Sequence, residues 1–228
     1  MPPEANAEFV CAMEDTLEVY QRPSDAQRPL VCCDEGTKPL VQDVRTPLPA
    51  AAGRPERLDY AYERHGTGNL CMMFEPLAGR REVLVTERRT AVDDAAAIQH
   101  LVDVSYPSAE KIVLMQDNLN THTLASLYEA FAPEAARRLI AKLEVHDTPK
   151  HGSWLNMAEI ELGVLRGQGL DRRIPDFSTF TSEVMAWQRA RHAAQVKVDW
   201  PFTTADARVT LTRLYPILEP VKNKWTNH

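Results

Sequence analysis

The chain has 228 residues, 44% of them hydrophobic and 25% charged, with a formal net charge of −6. That is enough apolar material for one sizeable core, which excludes wholesale disorder. No run approaches ~20 consecutive apolar residues, so no transmembrane helix is expected, and the first residues lack the basic and apolar regions of a secretory signal. In chain order, Phe9, Val10, Met13, Leu17 and Tyr20 fall at helical spacing and predict an amphipathic helix over 6–20. Pro23 and Pro29 bracket a linker. Leu30–Cys33 then predicts a short buried strand ending at Asp34-Glu35-Gly36. The Pro-, Gly- and Arg-rich stretch 45–68 predicts a long loop. Leu70–Phe74 and Glu82–Val85, separated by Pro76-Leu77-Ala78-Gly79, predict an antiparallel pair.

Thr90 with Asp93 predicts a capping box that opens a helix, closed by Pro107. Ile112–Met115 is a continuous apolar run, the signature of a strand buried on both faces, and it ends at Gln116-Asp117-Asn118. Helix is expected from about 123 to 142 with a break near Pro133, then a short strand at Leu143–His146. Further helices are expected over 153–168, 178–192 and 204–215. Strands that first pair locally and later alternate with helices predict an α/β mixed sheet with helix layers. Cys11, Cys32, Cys33 and Cys71 form no C-x-x-C pair and are expected to be reduced and mostly buried, as in a cytoplasmic protein. Residues 1–163 carry 16 Lys and Arg against 26 Asp and Glu, whereas 164–228 carry 10 against 6. The acidic whole argues against a dedicated nucleic-acid binder, while the basic C-terminal part can face phosphate locally.

Two acids stand where strands are expected to end, Asp34 and Asp117. In sheets of this kind ligands bind at the carboxyl ends of strands. A third acid lies on the helix in SWLNMAEIEL. Three carboxylates from two strands and a helix suit Mg²⁺, a hard cation that takes oxygen ligands and shares them with phosphates. Asn156 and Glu159 lie about 60° apart on one face of that helix. Glu161 is the alternative third acid, which helical geometry does not exclude. Glu35 is sent to the opposite face from Asp34 by strand alternation and is expected to form a salt bridge.

The strand running into Asp34-Glu35, the segment IVLMQDNLNTH and the segment TPKHGSWLNMAEIEL together resemble the catalytic domain of DDE transposases. Within these they are similar to the bacterial insertion-sequence branch of the mariner superfamily, over roughly residues 25–215. The resemblance implies a ribonuclease H-like mixed sheet flanked by helices, filling 25–228 behind an N-terminal helix and linker at 1–24. It implies metal-dependent DNA cleavage and strand transfer, with Asp34, Asp117 and Glu159 as catalytic metal ligands for Mg²⁺ or Mn²⁺, two ions being expected with DNA bound. DNA is the implied partner, with a second copy of the chain or a longer transposase subunit, in a bacterial cytoplasm and with no membrane. Full-length relatives carry helix-turn-helix domains before the catalytic domain. Only about 25 residues precede the first strand here, so the chain reads as a catalytic domain without its own base-reading element. The alternative is an accessory remnant that only binds DNA or a longer subunit; a nuclease without joining activity is a third reading. Asn118, Asn120 and His122 are candidates to orient Asp117 or touch phosphate. Lys150 and His151 are candidates for the DNA backbone, and Trp154 for the core. The pairs Arg80-Arg81, Arg88-Arg89, Arg137-Arg138 and Arg172-Arg173 are read as solvated faces, one or two of which bind phosphate.

Overall fold

The computed structural model describes residues 6–46, 49–55, 59–117 and 124–217. Its apolar runs line up as one five-stranded sheet: β1 (Leu30–Asp43), β2 (Tyr62–Glu75), β3 (Arg80–Thr86), β4 (Ile112–Gln116) and β5 (Leu143–Asp147). The spatial order is β3-β2-β1-β4-β5. β1 pairs antiparallel with β2, and β2 with β3, whereas β1–β4 and β4–β5 are parallel. All five residues of β4 are buried. That is what a strand paired on both edges and covered on both faces requires, and it is why the run is uninterrupted.

The helices are α1 (Ala7–Tyr20), α2 (Ala91–His100), α3 (Ser126–Ala130), α4 (Pro133–Ala141), α5 (Met157–Gly169), α6 (Phe177–Ala193) and α7 (Thr204–Thr210). The Thr90–Asp93 capping box forms as expected, and Pro133 occupies the first turn of α4, where its missing N–H costs nothing. α5 and α6 cover one face of the sheet, closing a core of Cys32, Met72, Val113, Met115, Leu162 and Phe180. Val31, Ile98, Leu101, Leu114, Leu127 and Leu139 fill the other face beneath α2, α3 and α4. A third cluster joins α1 to α7, with Phe9, Met13 and Leu17 packed on Leu155, Ala207 and Leu214. Among the described residues no helix is long and apolar enough to cross a membrane. The four cysteines are free; Cys32 is buried, Cys33 and Cys71 are half-buried, and Cys11 is exposed.

Four elements differ from the sequence expectation. β1 does not end at Asp34–Gly36 but runs to Asp43, because β2 continues the antiparallel ladder as far as Asp43 opposite Tyr62, past a bulge at Pro39/Val41. The expected loop over 45–68 is correspondingly shorter, since β2 begins at Tyr62. The helix expected over 153–168 is broken at Asn156, whose extended backbone (φ −81°, ψ 114°) separates a 3₁₀ turn, Ser153–Leu155, from α5. The last helix likewise stops at Thr210 and gives way to a 3₁₀ turn, Thr212–Leu214.

Two stability predictions follow from this packing. A Cβ added at Gly68 would lie 2.3 Å from the ring of fully buried Phe180. Gly68→Ala should therefore destabilise by about 1–3 kcal/mol, the usual cost of overpacking, read as a lower urea midpoint; an unchanged midpoint would mean that α6 yields. On β5, Glu144 accepts from Arg22 at 2.6 Å and also from Arg28, both on the linker after α1. The Arg22 guanidinium, ahead of smaller contributions from His146 and Arg28 and against burial, holds this carboxyl down at about 2, from 4.5. A folded pKa below the unfolded one gives stability that is complete above pH ~4.5 and lost as pH falls through the folded pKa. Glu144→Gln should flatten the acid limb of stability between about pH 4.5 and 2, and parallel limbs for the two proteins would refute this.

Candidate active site

The site begins with strand register. β1 pairs with β4 over three residues, Leu30, Val31 and Cys32 against Val113, Leu114 and Met115. Asp34 and Asp117 each lie two residues beyond the last pair, Cys32–Met115. They therefore stand level on adjacent parallel strands, where the pairing stops and β1 and β4 part. Alternation sends both side chains to the face of Cys32 and Met115, which is the α5 face. The antiparallel ladder agrees: Asp34 is opposite Met72, a residue of that same core. Glu35 is opposite Cys71, which packs on the α2 face, and it forms an ion pair with Arg89 as expected.

α5 brings the third acid. Asn156, fully buried, donates from Nδ2 to the Cys33 carbonyl at 2.8 Å, and its Oδ1 accepts from the Ala158 N–H at 3.0 Å. One side chain thus caps the helix and ties it to β1 beside Asp34. Further along, a Cβ at Gly36 would touch Leu162 at 3.5 Å, and Lys38 Nζ donates to the Leu170 carbonyl at 2.6 Å. α5 therefore runs alongside β1 in the same direction, with 156 over 33, 162 over 36 and 170 over 38. Glu159 falls between the first two contacts, at the level of Asp34. Its Oε2 is buried and has no hydrogen-bond partner among the described residues.

Glu161 has a different fate. It is 2% exposed and accepts from Arg81 Nε at 2.5 Å and from Arg191 Nε at 3.0 Å and Nη2 at 3.3 Å. Arg81 is itself fully buried, lies 4.5 Å over the Phe74 ring and donates to the carbonyls of Gly79 and Val196. Two guanidiniums thus occupy this carboxylate in a buried ion pair.

Of the arginine pairs, Arg88, Arg89, Arg137, Arg138 and Arg172 are exposed, as expected of solvated faces, and Arg81 is the fully buried exception. Besides Arg81, Arg89 binds Glu35, Arg138 binds Asp103 in a fork at 2.6 and 2.8 Å, and Arg172 and Arg173 bind Glu183 and Asp43. Lys150 and His151 are exposed in the turn before α5, His151 with φ 64°. Trp154 is half-buried against the α1–α7 cluster. Asn118, Asn120 and His122 lie outside the described residues. Burial first, then the neighbouring Cys71 and Cys32 thiols and Asp94, pushes the Cys33 thiol up; burial and then Asp94, Glu35 and Asp34 push Cys71 up, and burial pushes Cys32 up to about 12. The thiols beside the site thus stay neutral. Sequence reasoning missed the tether from Asn156 to Cys33. A buried Asn at a helix start was its visible signal, but the carbonyl it reaches is 123 residues away.

Asp34, Asp117 and Glu159 form an all-oxygen donor set, and the unpartnered Glu159 oxygen fits a hard divalent cation. Among the described residues, these three acids included, no three His, Cys, Asp or Glu side chains close into a metal cage; the β1–β4 register makes Asp34 and Asp117 level, and α5 carries Glu159 alongside β1.

The DDE superfamily endonuclease profile matches residues 29–181, which contain all three acids. No curated protein sequence matches significantly. Among solved structures, the Mos1 strand transfer complex is 18% identical with a TM-score of 0.54, over 86% of this chain and 64% of that one. A Mos1 mariner paired end complex with Mn is 19% identical (TM-score 0.52, 88% and 66%), and a Mos1 transposase paired-end complex with left transposon end 20% (0.53, 86% and 60%). The chain thus spans less than two-thirds of the length of these structures. At such identities they establish the fold, a ribonuclease H-like mixed sheet flanked by helices, as the sequence motifs implied. With two-thirds of its length matched, including both strands and the helix that carry the acids, the chain belongs to the DDE superfamily endonuclease family.

Proposed function

We propose that this chain is the catalytic domain of a transposase that cuts and joins DNA, with Asp34, Asp117 and Glu159 as its acidic centre. The observation that carries the proposal is the buried, unpartnered Oε2 of Glu159, held at the level of two aspartates on adjacent parallel strands. Asp34 and Asp117 would share divalent Mg²⁺ or Mn²⁺, and Glu159 would complete the set; two such ions would stabilise the attacking and leaving oxygens of a phosphodiester. The chain's own contribution is placement: β1 and β4 fix the aspartates, and Asn156 fixes the glutamate. The family membership and the Mos1 structures, one with Mn and one with a transposon end, support a divalent cation and DNA as the partners. Its protein partner would be a second copy of the chain or a longer transposase subunit, in the cytoplasm of a bacterium of the insertion-sequence kind.

A divalent cation held by these carboxylates binds the native state and not the unfolded chain, so metal should stabilise the fold. Mg²⁺ or Mn²⁺ at one hundred times its Kd should raise the melting temperature by ~5–10 °C. Glu159→Gln should abolish this response and metal-dependent cleavage while leaving the melting temperature in metal-free buffer nearly unchanged. Glu161→Gln should do the reverse. It strands buried Arg81 and should cost on the order of 3 kcal/mol of stability, yet the metal midpoint should hold. The opposite ranking would reassign the third acid. An accessory remnant would differ in showing no metal response in the parent chain.

Most arginines near the surface are already committed to acids, so DNA binding should be weak and sequence-independent. Competition between transposon-end and random duplex should give a Kd no tighter than the ~10⁻⁴–10⁻⁶ M of non-specific binding, falling steeply as salt is raised. Nanomolar, salt-tolerant binding to one sequence would refute this.

A further inference from the structure

α1 lies outside the stretch that the family profile matches, yet its last residue reaches the scaffold of the acidic centre. Tyr20 is 4% exposed, and its ring leans on Trp200 with centroids 5.4 Å apart. Its hydroxyl donates to the Leu155 carbonyl at 2.7 Å and accepts from the Met157 N–H at 3.4 Å, and the Cys32 thiol reaches it at 3.8 Å. A phenol has one proton to give and two lone pairs to fill, and here all three are used. Leu155 closes the 3₁₀ turn and Met157 opens α5, so this oxygen bridges the backbone break at Asn156. Cys32 lies two residues before Asp34 on the same face of β1. One atom therefore joins α1, the strand that carries Asp34 and the first turn of the helix that carries Glu159.

We propose that Tyr20 is a positioning residue of the acidic centre, acting through Met157 and Cys32 to fix the angle at which Glu159 faces Asp34. The inference rests on the carboxylate reading above. The Asn156–Cys33 hydrogen bond by itself leaves α5 free to pivot about one contact. The Tyr20 hydroxyl is a second tether, offset from the first, and it takes up the N–H of the first helical residue, a donor that has no partner within the helix. Ring packing on Trp200 holds the hydroxyl still, so the tether is rigid.

The test is Tyr20→Phe, which keeps the ring and removes only the oxygen, with Mg²⁺ and Mn²⁺ alone titrated against melting temperature. The variant should fold and should need ~10-fold or more metal to reach half of the full rise, the usual effect of removing a group that supports metal ligands. Tyr215→Phe is the control. It deletes a hydroxyl that donates to Glu14 at 2.8 Å on the α1–α7 contact, and it should lower the melting temperature without moving the metal midpoint. A Tyr20→Phe midpoint equal to the parent's, or equal shifts in both variants, would overturn the inference. If Tyr20→Phe does not fold, Trp200→Leu leaves the hydroxyl in place and frees the ring; a raised midpoint there supports the tether and an unchanged one overturns it. A parent chain that shows no metal-dependent rise removes the carboxylate reading itself, and this inference with it. That result is distinct from a parent that responds and a variant that responds identically.

Discussion

Three residues of parallel pairing, Leu30–Cys32 against Val113–Met115, decide where the acidic groups fall. Because β4 ends at Gln116 while β1 continues beside β2, the two strands part just beyond that pairing. Asp34 and Asp117 stand at the fork, at the carboxyl end of a parallel pair, where strand order leaves room for a ligand. Adjacent strands are ~4.8 Å apart, so two carboxylates on one face there repel. The ladder and the cores on both faces hold them against that repulsion. This is why the site sits over the most deeply buried strand of the sheet.

The phase of α5 depends on a second constraint, the buried Glu161. Its two guanidinium partners come from β3 and α6, and Arg81 is further held by the carbonyls of Gly79 and Val196. A carboxylate this deeply buried is tolerated only when it is paired and hydrogen-bonded, so α5 cannot rotate about its axis without stranding three charges. Glu159 is two residues earlier, ~200° around the helix. Securing Glu161 on the α6 side therefore turns Glu159 toward the fork. The same helix thus carries one acid that is paired with two arginines and one whose Oε2 has no hydrogen-bond partner among the described residues.

Elements with a local signature could be read from the sequence. The capping box at Thr90, the continuous run of β4 and the Pro76–Gly79 hairpin depend on spacing within a few residues, and they appear where expected. Pro133 at a helix start is of the same kind. What was not legible depends on partners far along the chain. β1 passes Asp34 because β2, some thirty residues on, extends the ladder. The helix break at Asn156 exists because its amide reaches Cys33. The pairing of Glu161 also lies beyond helical geometry, since it depends on Arg81, one of a pair that on composition alone belongs on a solvated face. Asp117 follows β4 directly, as its local context suggests, but Asp34 lies inside β1, and the common level of the two needed the register.

The arginines bear on how such a chain meets a polyanion. Arg outnumbers Lys by 19 to 7, yet many of these guanidiniums are spent on acids of the same molecule. Arg22 and Arg28 share Glu144, Arg208 binds Glu14, and Arg89, Arg138, Arg172 and Arg173 each hold a carboxylate. Surface pairs of this kind contribute little stability, but they cancel field, and the whole carries −6. The proposed acidic centre would add its own repulsion to a phosphodiester placed there. Three carboxylates present three negative charges there, and two divalent cations would outweigh them by one, inverting the local sign. Binding free energies are reciprocal. If the cations favour the phosphate, the phosphate favours the cations to the same extent. If the chain binds both, as proposed, its affinities for DNA and for metal would be one coupled quantity, governed by how closely Asn156 and the β1–β4 register hold the three acids.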